Sequence, residues 1–246
     1  MKAILTFHSI DDTGSVISFP VHLFSVLLRK LKSSGIPVIS LGDLLNNKES
    51  DGVVITFDDG MYSVYQDALP ILKEHQVPAH IFLTTSAIEK GGMEENQSID
   101  APKFKMLNWD EVGILHENNI FIDAHTHSHP DLRALNIEEI EAELAISNNL
   151  IKSRVGTEPR YFAYPFGYHN NKVREAAGKF YKASVTTELN YFNGKSSLAA
   201  LPRLDSFYFR SEATIKNLDS ILMWLYINFR SLMRDVKGSQ CKAARK

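Results

Sequence analysis

Short β-rich runs alternate with longer amphipathic patterns along this chain, and the alternation limits the folds that it can adopt. The runs are AILTFH, PVISL, GVVITF, AHIFLTT, IFIDAH, RYFAYP and KASVTT, with helical patterns between most of them. Strands that alternate with helices form parallel sheets with crossover helices. Seven or so units within 246 residues predict an α/β fold built as a (β/α) barrel rather than an open doubly wound sheet.

The barrel is expected to form one domain over residues 1–235, because no linker interrupts the pattern. The polar, glycine-containing segment Glu89–Lys105 is interpreted as a mobile insertion over one face. Residues 236–246 are expected to form a disordered tail.

Composition excludes several classes of site. Hydrophobic residues make up 44% of the chain and charged residues 23%, and the formal net charge of −2 gives no electrostatic case for nucleic acid as a partner. The single cysteine, Cys241, excludes an internal disulfide framework and a thiolate zinc cluster. A metal in this chain must therefore use nitrogen and oxygen ligands.

The two ends of the chain bear on its location. MKAILTFHSI lacks the long apolar core and cleavage site of a secretory signal, so we interpret it as a first strand and expect a cytoplasmic protein. The run ILMWLYI, residues 221–227, is too short to span a bilayer and is predicted to be a core-packing helix. Peripheral membrane contact through residues 219–234 is the less favoured alternative.

Chemically active side chains follow four of the predicted strands. Asp58 and Asp59 follow VVITF, His125 follows IFIDA, Pro165 follows RYFAY and His8 follows AILTF, so all lie at the rim where barrel enzymes carry their sites. Adjacent carboxylates at a strand exit point in different directions, so one can bind a cation while the other accepts a proton. The alternative is an ordinary Asp-Gly turn.

The histidine-rich segment DAHTHSHPDL offers two metal-binding pairs. His125 and His129 share a face if the segment makes a helical turn, whereas His125 and His127 share a face of a strand. Either pair, with Asp59, supplies two imidazoles and a carboxylate. Such a set suits Zn²⁺ best, with Co²⁺, Ni²⁺, Mn²⁺ and Fe²⁺ as competitors.

The segment RYFAYPFGYHN, residues 160–170, is interpreted as a strand that ends in a Pro-Phe-Gly turn. As part of a site, Tyr164 and Pro165 would contact a substrate, the aromatic rings would stack on a sugar, and a backbone N–H near Phe166 would face the cavity.

Together TFDDG, HTHSH and FAYPFG resemble the motifs of the polysaccharide deacetylases, the NodB-like carbohydrate esterases, in that family's order. The resemblance implies a distorted (β/α)7 barrel and metal-dependent removal of acetyl groups from N-acetylated amino sugars. It makes Asp58 the general base and the backbone N–H of Phe166 an oxyanion donor. It also makes Asp59, His125 and His129 the metal ligands.

The chain departs from the family pattern in its late motifs. No histidine follows His169, so a late general acid is missing, and Ala163 stands where many members have an arginine that orients the base. Arg203 is a candidate replacement for that arginine, and His8, His127 and His169 are candidate acids. A metal hydrolase of the amidohydrolase or PHP type, and a carbohydrate-binding protein with a degenerate site, are the alternative functions.

Overall fold

Seven parallel strands close into a barrel in the computed structural model, which describes residues 1–47, 51–90 and 104–243. The described residues contain nine strands, of which β2 and β3 form a separate two-stranded sheet. They are β1 (Lys2–Phe7), β2 (Ser9–Ile10), β3 (Ser18–Phe19), β4 (Gly52–Phe57), β5 (Ala79–Leu83), β6 (Ile120–Ala124), β7 (Tyr161–Ala163), β8 (Ala183–Leu189) and β9 (Leu201–Asp205). The barrel order is β1-β4-β5-β6-β7-β8-β9, and β9 pairs with β1 to close it. The predicted (β/α)7 barrel is therefore confirmed.

The strands are apolar on both faces because helices cover the outside of the barrel. Every residue of β4 is buried, as is typical of parallel strands. Nine α-helices occur in the described ranges. They are α1 (Val21–Ser33), α2 (Leu41–Asn46), α3 (Leu69–His75), α4 (Thr85–Lys90), α5 (Trp109–Glu117), α6 (Ile137–Val155), α7 (Asn171–Phe180), α8 (Glu212–Lys216) and α9 (Ile221–Ala243).

Local sequence signals set the limits of the longest barrel helix before the last strand, α6. The side chain of Asn136 accepts the backbone N–H of Glu139, whose own side chain accepts the N–H of Asn136. This capping box begins the helix. Gly156, at φ 78°, ends it in the left-handed conformation that glycine adopts without strain.

One predicted strand is wrong. PVISL contributes only a single bridge, between Val38 and Val53, before the chain enters α2. The side chain of Ser40 accepts the N–H of Asp43 and so caps α2, which ends the extended conformation at that point. The seventh barrel strand is instead β9, which the strand pattern missed.

The predicted core-packing role of ILMWLYI is also wrong for most of its residues. Within that run only Met223 and Ile227 are buried, while Leu222 is 71% exposed. The helix also continues to Ala243, beyond the predicted domain limit at residue 235. Most of the predicted insertion Glu89–Lys105 lies outside the described residues. Among the helices that the structure describes, none combines the length and apolar character needed to cross a membrane.

Candidate active site

The barrel brings the candidate residues to one rim. His8 and Asp58 directly follow Phe7 and Phe57, which are paired in the parallel register of β1 and β4. His125 follows the last residue of β6. The strand-exit rule applied to the sequence therefore places these side chains together, although they lie far apart along the chain.

Asp59, His125 and His129 form the centre of the site. The Nε2 atoms of His125 and His129 are 3.2 Å apart, and they lie 3.3 Å and 3.7 Å from Asp59 Oδ1. Their three potential ligand atoms all lie within 4.8 Å of one another. The structure thus assembles the outer histidine pair with the carboxylate.

Backbone contacts orient the two imidazoles. His125 Nδ1 lies 2.7 Å from the carbonyl oxygen of Ala163, an arrangement that places the ring proton on Nδ1 and the lone pair on Nε2. The backbone N–H of His129 donates to Thr126 Oγ1 at 3.0 Å. Histidine ligands of metals usually donate their second N–H to such an acceptor, so the geometry of His125 is that of a prepared ligand.

The set fits a divalent cation. Two donors that each lie about 2.1 Å from a zinc ion are about 3 to 3.5 Å apart, close to the separations seen here. Burial and the neighbouring His125 lower the pKa of His129 to about 4, which keeps that imidazole neutral. Burial opposes protonation of His125, but the hydrogen bond with Asp59 and the charges of Asp58 and Asp59 raise its pKa. A proton therefore competes with a cation for His125 Nε2.

Asp58, the residue before Asp59, pairs with Arg203. Its two carboxylate oxygens accept from Arg203 Nη1 at 2.8 Å and Nη2 at 2.7 Å, and both side chains are buried. Arg203 also donates to the carbonyl of Thr186 and to Thr56 Oγ1. Burial raises the pKa of Asp58, but the charge and hydrogen bonds of Arg203 outweigh it and hold that pKa below its usual range.

Left-handed backbone conformations concentrate at this rim. Four of the six non-glycine residues with positive φ in the described ranges border the site: Asp59, Thr126, His129 and Phe166. Non-glycine residues in this region cost free energy and persist where the surrounding structure holds them. The positive φ of Asp59, 73°, turns its side chain away from that of Asp58. His129, at φ 58°, directly precedes Pro130.

The third motif divides into a buried and an exposed part. Tyr164 and Pro165 are buried, and the Tyr164 hydroxyl donates to the carbonyl of Ala199 at 2.9 Å, so these side chains belong to the barrel wall. Phe166 is 52% exposed, and its ring lies 4.5 Å from that of His129 between centroids. Only Phe166 of these three presents its side chain beside the ligand set.

The three histidines that are candidate acids lie in different surroundings. The charge of His8 reaches Asp58, Asp59 and His129, whose pKa values it shifts. His127 Nδ1 lies 3.0 Å from Thr85 Oγ1, outside the ligand set. His169 packs against Tyr164, with ring centroids 5.0 Å apart, on the far side of the third motif.

Glu143 is a supporting residue that the sequence did not reveal. Its carboxylate accepts the backbone N–H groups of His127 and Ser128 and the hydroxyl of Ser128. It thereby fixes the loop between His125 and His129. Its position within α6 gives no signal, since a glutamate on a helix usually faces solvent.

Comparisons with known proteins agree with this geometry. The polysaccharide deacetylase family model matches residues 46–182. YxkH of Bacillus subtilis (strain 168), named for the polysaccharide deacetylases, is 29% identical over 208 residues, covering 82% of this chain and 70% of its own. A poly-β-1,6-N-acetyl-D-glucosamine N-deacetylase of Staphylococcus aureus (strain MRSA252) is 26% identical, covering 60% of this chain and 53% of its own.

Solved structures share the fold. Deacetylase PplD of Streptococcus pyogenes, in complex with acetate, superposes with a TM-score of 0.73 at 23% identity, covering 83% of this chain and 91% of its own. IcaB from Ammonifex degensii gives 0.71 at 20% identity, covering 88% and 98%. The family model covers more than half of the sequence and includes the Asp-Asp, histidine and Pro-Phe-Gly motifs. The chain therefore belongs to the polysaccharide deacetylase family.

Proposed function

We propose that this protein is a metal-dependent N-deacetylase, which hydrolyses the acetamide of an N-acetylated amino sugar in a polysaccharide, oligosaccharide or glycoconjugate. The observation that carries the proposal is the convergence of Asp59, His125 and His129 beside Asp58, a carboxylate that Arg203 holds ionised. In this proposal Asp59 binds the cation together with the two histidines, while Asp58, paired with Arg203, accepts the proton.

Asp59, His125 and His129 are the proposed ligands of the divalent cation, with Zn²⁺ first and Co²⁺, Ni²⁺, Mn²⁺ and Fe²⁺ as alternatives. When bound, such an ion polarises a carbonyl group and lowers the pKa of a water molecule. The contact of His125 Nδ1 with the carbonyl of Ala163 supports this assignment, since it leaves Nε2 of that ring to face the cation.

Asp58 is the proposed general base. An acetamide is a poor electrophile, so its hydrolysis requires the attacking water to lose a proton in the transition state. The pKa of Asp58 lies below its usual range, so the group is ionised and able to accept that proton at neutral pH. The fixed bidentate contact with Arg203 orients the carboxylate and supports its role.

The backbone N–H of Phe166 is the proposed donor to the oxyanion that develops on the acetyl group. The contact between the rings of Phe166 and His129 supports this role, because it puts that residue beside the ligand set. The exposed Phe166 ring also offers a face on which a sugar can stack.

His8 is the proposed acid for the leaving amine. It follows the strand paired with that of Asp58, and its charge acts on Asp58, Asp59 and His129. His169 contacts Tyr164 in the barrel wall, and His127 contacts Thr85, so neither faces the carboxylates. An acid on the first strand would replace the late histidine of other family members.

Two rival functions are weakened by the same contacts. A PHP or amidohydrolase site requires the His-x-His pair, but His127 lies outside the assembled ligand set. A degenerate carbohydrate-binding site is favoured by the missing late histidine, but Arg203 provides a guanidinium at Asp58 from β9, and His8 is available as an acid. Neither rival explains the whole arrangement.

The substrate is proposed at the level of chemical class. An N-acetylated sugar is the expected partner. Poly-β-1,6-N-acetyl-D-glucosamine is the first substrate to test because of the staphylococcal relatives. Chitin oligomers, peptidoglycan fragments and lipid-linked N-acetyl sugars carry the same acetamide and are the other members of the substrate panel.

Acetate release from this panel, measured with purified protein reconstituted with each metal, tests the proposal. Asp58→Asn should lower the rate by about 10² to 10⁴-fold while metal content stays at the wild-type level. His8→Gln should lose a similar factor, and His169→Gln, the matched control, should retain full activity. Glycan binding without acetate release under any metal would instead establish the carbohydrate-binding function.

A further inference from the structure

The last helix carries a large apolar surface that none of the described residues covers. We define the outer face of α9 by seven exposed side chains. They are Ile221 (68%), Leu222 (71%), Leu225 (51%), Tyr226 (41%), Phe229 (59%), Leu232 (61%) and Met233 (40%). In monomeric soluble proteins a contiguous apolar surface of this kind usually marks an interaction site.

The spacing shows that these residues form one face. Leu222, Leu225, Phe229 and Leu232 recur at intervals of three and four, so they align along the helix, whereas the buried Met223 and Ile227 lie on the opposite side. The inner face already packs on the barrel. A helix that is apolar on both sides requires a second apolar environment.

Charge is distributed unequally along the same segment. Residues 221–229 contain no charged side chain, whereas residues 230–246 contain six Lys or Arg residues and one acidic residue, Asp235. The chain as a whole has a formal net charge of −2, so this cationic segment stands against an otherwise acidic protein. Of the basic residues whose side chains the structure describes there, Arg234 is exposed.

A series of aromatic contacts connects the outer face of α9 to the rim of the barrel. Tyr226 contacts Tyr208, with ring centroids 6.2 Å apart, and Tyr208 contacts Phe207, which is 50% exposed beyond the end of β9. Two guanidinium groups lie over these rings, Arg230 over Tyr208 and Arg210 over Phe207. Aromatic and basic side chains thus alternate from α9 to the strand that carries Arg203.

An anionic lipid surface fits this pattern better than a second copy of the chain. Antiparallel pairing of two α9 helices would oppose the apolar half of one to the basic half of the other. Parallel pairing would bring the two basic halves together. A lipid interface instead accepts apolar and aromatic side chains below its headgroups and basic side chains at them.

We propose that the outer face of α9 binds an anionic lipid surface and holds the barrel rim beside it. Leu222, Leu225, Phe229 and Leu232 enter the interface, while the exposed Arg234 contacts the headgroups. A substrate attached to that surface then meets the rim without diffusing through solution.

Co-sedimentation with lipid vesicles tests the proposal without any substrate. Wild-type protein should bind phosphatidylcholine vesicles that contain about one third phosphatidylglycerol and bind pure phosphatidylcholine several-fold more weakly. Leu225→Ser/Leu232→Ser should weaken binding by about 100-fold. Arg234→Gln should weaken it by about fivefold on anionic vesicles only.

The matched control is Ile114→Ser/Ile146→Ser, which changes two exposed aliphatic residues on α5 and α6. It should bind like the wild type, and circular dichroism should show that all variants are folded. The proposal is overturned if the wild type binds neither vesicle, or if the α9 double variant binds as well as the control. It is also overturned if sedimentation shows a vesicle-independent dimer that this double variant dissociates.

Discussion

Two clusters of histidine and aspartate occur in this barrel, and they differ in how their hydrogen bonds are used. One consists of His80 on β5 and Asp123 on β6. The other contains Asp59, His125 and His129 at the rim. Both combine imidazole with carboxylate and both are largely withdrawn from solvent. Their residue types alone therefore do not reveal which cluster binds a ligand.

Every acceptor in the first cluster has a protein partner. His80 Nε2 accepts the N–H of Leu41 at 2.8 Å, and its Nδ1 lies 2.7 Å from Asp123 Oδ2. Asp123 Oδ1 accepts the N–H groups of Arg160 and Tyr161. The cluster joins α2, β5, β6 and β7, and each of its acceptor atoms already has a protein donor.

The rim cluster leaves its acceptors facing one another. The Nε2 atoms of His125 and His129 and Asp59 Oδ1 converge, although two imidazole nitrogens and a carboxylate cannot satisfy each other without a proton or cation between them. The comparison teaches that a saturated polar cluster stabilises a fold, while a converging unsaturated one prepares a ligand site.

The largest effect should come from the rim. We expect His125→Ala to remove the metal and to lower acetate release by about 10³-fold or more, because the ion supplies several kcal/mol of transition-state stabilisation. Metal analysis and acetate release, measured on the same sample, check the outcome. Normal metal content in this variant would contradict the difference drawn between the two clusters.

Arg203→Met should have the next largest effect. It leaves Asp58 buried without its partner, so we expect a loss of about 3 kcal/mol in unfolding free energy and about 100-fold in rate. Burial then raises the pKa of Asp58 unopposed, so the acid limb of the kcat/KM profile should move to higher pH.

The sign of the stability effect follows from the same contact. Because Asp58 has a lower pKa in the folded state, its pairing stabilises the wild type above the ordinary aspartate range and is lost as pH falls through the folded value. Denaturation at several pH values measures this contribution. Arg203→Lys keeps the charge but loses the bidentate contact. Its rate and the acid limb of its kcat/KM profile should therefore lie between those of Arg203→Met and those of the wild type.

A substitution in the cluster of His80 and Asp123 should lower stability without affecting metal binding. His80→Ala leaves the N–H of Leu41 and Asp123 Oδ2 without a partner, so we expect a loss of about 3 kcal/mol in unfolding free energy. Metal content and the rate per folded molecule should stay within about twofold of the wild type. Loss of metal from a folded His80→Ala sample would argue that this cluster also serves the site.

The smallest effect is expected for His127→Ala. In the sequence this residue lies between His125 and His129, but its ring contacts Thr85. Metal content should be unchanged and acetate release should fall by no more than about threefold, the range of a lost surface hydrogen bond. Phosphatase activity that depends on His127 and persists in Asp58→Asn would support the PHP-like alternative.

Much of the fold was predictable because its signals are local. The strands around Ile55, Ile81 and Ile122 are short apolar runs bounded by polar turns, and these patterns predict the barrel that the structure contains. β9 was missed because LPRLDS contains a proline and an arginine, and these residue types do not indicate a buried strand. Its conformation depends on the pairing of Arg203 with Asp58, a contact across 145 positions.

The site was predictable in part for the same reason. Parallel strands bring their exits to one rim, so residues after β4 and β6 were expected to meet, as Asp59 and His125 do. The choice of His129 over His127 came from the family resemblance, because the left-handed turn at His129 cannot be inferred from spacing. The roles of Asp58, Phe166 and His8, the identity of the metal and the cytoplasmic location stay predictions.

The exposed face of α9 shows where local patterns are insufficient. ILMWLYI is equally compatible with a buried helix and with a helix apolar on its outer side. Only the position of the helix relative to the barrel distinguishes them. That position is a property of the whole fold, which a seven-residue pattern does not encode.

The origin of Arg203 has a consequence for how activity arises during synthesis. The guanidinium that holds Asp58 comes from the strand that closes the barrel, whereas the proposed ligands Asp59, His125 and His129 all precede residue 130. A growing chain would therefore contain all of its proposed metal ligands well before the arginine that orients its proposed base. In the proposed mechanism, hydrolysis requires the last strand to have left the ribosome and to have joined β1.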